Sequence, residues 1–301
     1  MYQKNRMLIV TGLLVLALVM ALVGCNPAPT AAPTQSIPTA APTQPIPTAA
    51  PARLAGSISV AGSTTVQPLA EKLAEAFSAQ NPDVQIDVQG GGSSVGVKSA
   101  GQGTVDVGMA SREVKQSELE EYPGLKVFTI ARDGIAIVTH PDVPVDGLTK
   151  EQVRDIFAGE ITNWSEVGGP DKSIVVVARE EGSGTRAAFQ EMVMGGDEGP
   201  PIADTAVLQP SNGAVRTTVS TTPDSIGFLS FGYLDQSVKA LAIDGVEATE
   251  ANAAGGAYPI VRPLNMMTRY EPTGVVKAWL DFILSDAGQA IVSEEGYIPV
   301  K

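Results

Sequence analysis

Apolar positions fall into three regimes along this chain. Met7 to Val23 is an apolar run without charges. Residues 26–55 carry no period that could build a core. From Ile58 onward, short β-rich runs alternate with stripes at helical spacing. Ile58-Ser59-Val60, Val84 to Val88 and Val105 to Met109 read as strands. Leu69, Leu73, Ala76 and Phe77 form one helix face, with Pro68 tolerable in the first turn and Asn81-Pro82 as the stop. Leu125 to Thr129 and Gly134 to Thr139 are two further β-rich runs, and we read the intervening Ala131-Arg132-Asp133 as the passage between two lobes. Thr149 to Ala158 predicts a helix with a Thr149–Gln152 capping box and a stripe of Val153, Ile156 and Phe157. Ile174 to Ala178, Ile226 to Ser230 and Val238 to Ile243 predict strands. Val276, Trp279, Leu280, Ile283, Leu284, Ala287 and Ile291 stripe one long helix capped by Thr273. Strands alternating with helices imply an α/β architecture.

Between these elements lie glycine turns rich in hydroxyls. The clearest is Arg179 to Arg186, R-E-E-G-S-G-T-R, which carries the chain from the 174–178 strand into a helix at Ser183, Gly184 and Thr185. A helix start presents unpaired amides and partial positive charge, so this turn, flanked by Arg179 and Arg186, can hold a small oxyanion. The plain alternative is a Ser and Thr that only cap the helix. The same construction recurs at Gly62-Ser63-Thr64-Thr65, at Gly90 to Lys98 and at Ser211-Asn212-Gly213. The second of these nearly imitates a P-loop, but Lys98 stands two places after Gly96 instead of one, and nucleotide binding is rejected.

Composition limits the partners. The chain has 301 residues, 44% apolar and 18% charged, enough for one core or two; its formal charge of -13 argues against nucleic acid. An acidic protein that binds an anion must use local dipoles and a few arginines.

At the N-terminus, Lys4 and Arg6 precede the apolar run, which ends Leu22-Val23-Gly24-Cys25. This resembles a bacterial lipoprotein lipobox, and Cys25 is the only cysteine. The resemblance implies residues 1–25 as a signal peptide cleaved before Cys25, lipidation there, and tethering outside the membrane; an uncleaved signal anchor is the rival. Losing Lys4 and Arg6 takes the formal charge from -13 to -15. Residues 26–55 repeat P-T-A-A-P-T-Q with a period of nine, a tether that could extend on the order of 90 Å.

Five motifs together resemble the substrate-binding proteins of bacterial phosphate ABC transporters: G-S-T-T-V at 62–66, G-G-S-S-V-G at 91–96, D-V-G-M-A-S-R at 106–112, I-T-N-W at 161–164 and G-S-G-T-R at 182–186. The resemblance implies a two-lobed periplasmic-binding-protein-like (type II) fold, closing on inorganic phosphate in an interlobe cleft. Lobe 1 is then expected at 56–131 and 245–301, and lobe 2 at 132–244. Carried over by position, the binding residues are Thr64, Thr65, Ser93, Ser111, Arg179, Ser183, Gly184, Thr185 and Arg186, with Arg186 and Arg112 ranked below Arg179. A salt bridge is the alternative for those two. Some family members carry an aspartate where this chain has Ser111, whose hydroxyl can accept from a protonated phosphate oxygen or donate to a bare one, with backbone carbonyls or a carboxylate such as Asp106 or Asp133 as further acceptors for the proton. The implied partners are phosphate, ABC permease subunits and a membrane reached through the lipid anchor. No cofactor, metal or nucleic acid is expected, and the protein is expected to be a monomer.

Ser183 lacks the first glycine of a G-x-S-x-G nucleophile elbow, and the only histidine, His140, reads as a loop residue, so an enzyme is not expected. Binding of another tetrahedral oxyanion such as sulfate, or a cell-surface interaction role, would suit the tether equally well.

Overall fold

The computed structural model describes residues 53–301; the apolar run, Cys25 and nearly all of the proline-rich repeat lie outside the described residues. From there the chain builds the α/β, two-lobed arrangement expected. Strands β1 (Gly56–Gly62), β2 (Val84–Gln89) and β3 (Val107–Ala110) are parallel, joined by helices α1 (Val66–Gln80) and α2 (Ser93–Gln102). Parallel neighbours need such crossovers. Helix α1 buries Val66, Leu69, Ala70, Leu73, Ala74 and Phe77, so Ala74 completes the face expected of Ala76.

After α3 (Gln116–Glu121), the two β-rich runs prove to be one strand, β4 (Lys126–Thr139). The passage at 131–133 is therefore made without leaving extended backbone. The second lobe follows with β5 (Gly147–Leu148), α4 (Lys150–Ala158), β6 (Val175–Arg179), α5 (Gly184–Phe189), β7 (Val207–Gln209), α6 (Asn212–Thr221) and β8 (Ser225–Ser230). The Thr149–Gln152 capping box forms, and Val153, Ile156 and Phe157 are buried. Helix α5 runs on into a wider π-type turn through Met194. The strand expected at 238–243 is two short pieces serving different partners, β9 (Lys239–Ala240) on β4 and β10 (Ala242–Ile243) on β5.

Helix α7 (Glu250–Ala254) follows, and Ala253, Tyr258 and Ile260 join the second lobe's core. The chain then enters β11 (Val261–Thr268), in which Val261 still packs against the second core while Leu264 and Met266 lie in the first, later than the 245 expected for the return. Strand β11 pairs antiparallel with β3 and with β4 from Lys126 to Gly134; β8 takes over on β4 from Ile135 to Thr139. The order is β2-β1-β3-β11-β4-β8-β6-β7, so β4 belongs to both lobes.

The expected long C-terminal helix is two, α8 (Gly274–Ile283) and α9 (Asp286–Glu294). Ser285 restarts the chain by accepting from the Gly288 amide. The change of axis leaves Ala287 exposed and buries Val292, and Thr273 makes no side-chain cap bond. Beyond α9, Ile298 exchanges two backbone bonds with Arg132 at the passage. Among the described residues no helix is long and apolar enough to cross a membrane, and no group of His, Cys, Asp and Glu could hold a metal.

Candidate functional site

Four helix starts meet between the lobes, and who caps them decides which hydroxyls are free. Ser63 Oγ accepts from the Thr65 and Val66 amides at 3.2 and 3.4 Å, so Ser63 serves the start of α1. Ser183 accepts from the Arg186 amide (3.2 Å) at α5, and Ser211 from the Ala214 amide (3.0 Å) at α6. Helix α2 has no side-chain cap; Ser93 Oγ instead accepts from the Ser111 amide at 3.0 Å and lies 3.4 Å from Ser111 Oγ. Thr64, Thr65 and Thr185 are thereby left to act across the interlobe boundary.

Thr65 Oγ1 is the meeting point. It lies 3.2 Å from Thr185 Oγ1 and accepts from Asn212 Nδ2 (2.9 Å) and Arg262 Nη2 (3.0 Å). Asn212 Nδ2 also reaches Thr64 Oγ1 at 3.4 Å, while its Oδ1 accepts from the Ser230 amide at 3.2 Å. Tyrosines from separate elements brace the turn: Tyr233 donates to the Thr64 carbonyl (2.6 Å) and Tyr297 to the Thr65 carbonyl (3.0 Å). A second contact joins Gly184 to the other first-lobe turn. A Cβ there would collide with Ser93 Oγ and come within 2.7 Å of Ser111 Oγ, so only glycine permits this approach. Close by, the Ser94 amide donates to the Gly182 carbonyl at 3.1 Å. The Gly184 and Thr185 amides, at the start of α5, have no acceptor among the described residues.

Four arginines surround these turns in different states. Arg179 is buried; its Nε and Nη2 each donate to Glu180 at 2.9 Å and also reach the Gln209 and Pro210 carbonyls. Arg186 Nη1 donates to the Arg179 carbonyl at 2.7 Å, bracing the turn from behind. Arg112 takes the salt-bridge alternative, pairing with both oxygens of Glu118 at 2.8 and 2.7 Å. Arg262 is buried and pairs with Asp133, which is wholly buried. Burial pushes the Asp133 carboxyl up and the Arg262 guanidinium down, and their attraction opposes this without cancelling it.

Every binding residue expected from sequence is buried, save the half-buried Arg186; Thr64, Thr65, Ser93, Ser111, Gly184 and Thr185 meet across the lobes, whereas Ser183, Arg179 and Arg186 make their hydrogen bonds within the second lobe. Sequence reasoning did not select Asn212, Arg262, Tyr233 or Tyr297. Asn212 lay in a turn already noted and carried a signal; the others carried none. Of the two alternative acceptors, Asp106 is committed to the Ser59 amide and hydroxyl on an exposed edge (2.8 and 2.7 Å), whereas Asp133 adjoins the site. Ser183 acts as a cap, and His140 Nδ1 accepts from the Asp142 amide in its own loop.

Two lobes sharing β4, with buried donors converging from both, define a two-lobed ligand-binding protein of the periplasmic-binding-protein-like type. Residues 47–287 match the PBP superfamily domain. The chain is 38% identical over 250 residues to the phosphate-binding protein PstS of Bacillus subtilis, covering 82% of each, and 31% identical over 275 residues to that of Pseudomonas aeruginosa, covering 82% of this chain and 84% of the relative. Among solved structures, a Clostridium perfringens chain with bound phosphate matches with a TM-score of 0.78 and 45% identity, over 82% of this chain and 100% of that one. An ABC-type phosphate transport receptor from Vibrio cholerae matches with a TM-score of 0.67 and 36% identity, over 80% and 99%. The chain belongs to the PstS family of phosphate-binding proteins.

Proposed function

We propose that this protein captures inorganic phosphate outside the cytoplasmic membrane and delivers it to an ABC permease. The ion is held where the turns of the two lobes meet, by Thr64, Thr65, Ser93, Ser111, Arg179, Ser183, Gly184 and Thr185, with Arg186 supporting the second-lobe turn through the Arg179 carbonyl. The observation that supports this best is the junction at Thr65 and Thr185, where buried hydroxyls and an amide side chain from both lobes converge within hydrogen-bonding distance. Fixed neutral donors suit a dry oxyanion site, because desolvating full charges costs several kcal/mol each. Donors split between two lobes also couple binding to closure. In this reading Cys25 carries the lipid anchor, the 26–55 tether gives reach, and the protein works as a monomer.

Calorimetric titration tests the reading: phosphate should bind at micromolar or tighter affinity without turnover, and no heat on adding phosphate would refute it. A second oxyanion deserves the same titration because of Ser111. A hydroxyl there can donate as well as accept, whereas an aspartate could only accept. Sulfate should therefore be rejected less sharply by the wild type than by Ser111→Asp. Equal exclusion of sulfate by both proteins would assign selectivity to another acceptor.

A further inference from the structure

Arg262 has one edge of its guanidinium occupied and the other half empty. Nε and Nη2 face Asp133 Oδ2 at 3.2 and 2.8 Å, and Nη2 also donates to Thr65 Oγ1 at 3.0 Å. Nη1 is fully buried and has no hydrogen-bond partner among the described residues. The fork is planar and rigid: with Nε and one Nη2 proton on the Asp133 side, the other Nη2 proton and Nη1 share the far edge and point the same way. That edge faces Thr65, the residue on which both lobes converge.

We propose that Arg262 is an anion-binding residue of this site, donating through Nη1 to the oxyanion held beside Thr65 and Thr185. The inference rests on the phosphate reading and adds to it a second buried guanidinium from the strand that leads back into the first lobe. A buried N–H without a partner is a cost that native proteins seldom carry, and a bound oxyanion would supply the missing acceptor. Asp133 cannot supply it, since Oδ2 is turned to Nε and Nη2 and Oδ1 accepts from Ser230 Oγ at 3.0 Å. Electrostatics point the same way. Burial lowers the Arg262 pKa, and the nearby Arg179 charge adds to that, so an anion beside Arg262 would favour its charged form. Among the described residues two other buried polar atoms lack partners, Thr139 Oγ1 and Trp279 Nε1, but neither is charged or joined to these turns.

Phosphate titrations of the wild type, Arg262→Lys and Arg112→Lys decide the matter. Lysine at 262 keeps a charge for Asp133 but loses the fork, and phosphate should bind about 10- to 100-fold more weakly. Arg112→Lys should bind like the wild type, because that arginine is committed to Glu118. Wild-type affinity in Arg262→Lys, or equal losses in both variants, would overturn the proposal while leaving the phosphate reading intact. Absence of binding by the wild type would instead overturn the phosphate reading itself. Should Arg262→Lys fail to fold, a crystal structure of the phosphate-loaded wild type remains decisive. Nη1 within about 3.2 Å of a phosphate oxygen supports the assignment, and a longer separation overturns it.

Discussion

Arg179 and Arg262 are both buried, both paired with a carboxylate and both beside the same turns, yet they are built differently. Arg179 pairs with the adjacent Glu180, whose side chain is 33% exposed, and its Nη2 and Nε are shared with two backbone carbonyls. Arg262 pairs with Asp133, 129 residues away and 0% exposed, across the β4–β11 ladder. The first is an adjustable pair on a turn. The second is a fixed pair where two strands cross between the lobes. In each, the carboxylate offsets the guanidinium's charge, so in the proposed site an anion would meet oriented N–H groups rather than net positive charge. That is how a chain of formal charge -13 can recognise an anion.

The largest effect should come from separating the fixed pair. Asp133→Ala leaves a buried guanidinium uncompensated and should lower unfolding free energy by about 3–5 kcal/mol, read by urea denaturation. Glu180→Ala should cost less, because the lost carboxylate is 33% exposed and the buried Arg179 keeps the Gln209 and Pro210 carbonyls. Similar losses in the two variants would break the distinction. An Asp133→Leu, Arg262→Met double variant sharpens it, because a well-packed apolar replacement of a buried pair is often neutral or stabilising.

Binding should separate the arginines on the second lobe itself. Arg179→Ala should fold and weaken phosphate binding by about 2–5 kcal/mol. Arg186→Ala should lose less, since Arg186 acts on the Arg179 carbonyl from behind. Calorimetry in which Arg186→Ala lost more than Arg179→Ala would reverse their roles.

The same contrast explains what could be read from sequence. Hydroxyl-bearing turns between a strand and a helix have a local signature, so the turns at 62–65, 90–98, 182–186 and 211–213 were visible. Arg179 was visible because it flanks one of them. Arg262 sits in V-R-P-L-N-M-M-T, whose proline weakens the pattern of a central strand, and no strand is read there from sequence. The structure tolerates Pro263 because β3 pairs only with Asn265 to Met267, leaving a sheet neighbour on one side of Pro263. A partner 129 residues away leaves no pattern in a single sequence. The broken C-terminal helix was missed for a different reason. Its apolar stripe continues across the break, and only Ser285-Asp286 marks the new start.

A third arginine pair gives the smallest effect and the cleanest sign. Glu118 receives both ends of the Arg112 fork as well as the Lys115 amide at 2.9 Å. Burial raises its carboxyl, but these bonds and the nearby positive charges outweigh that and hold it below its ordinary value. A carboxyl depressed by folding contributes stability that is complete above its unfolded pKa and is lost as pH falls through the folded one. Asp133, raised by burial, has the opposite slope: its share of stability declines as pH rises from the ordinary carboxyl value toward the folded one. In urea denaturation from neutral to acidic pH, Glu118→Gln should therefore have a flatter acid decline than the wild type. Its neutral-pH loss should be well below that of Asp133→Ala, because the Glu118 side chain keeps 18% of its surface in water. A Glu118→Gln protein with a steeper acid decline than the wild type would mean that the Arg112 pair does not hold this carboxylate ionised, and would remove the salt-bridge role assigned to Arg112.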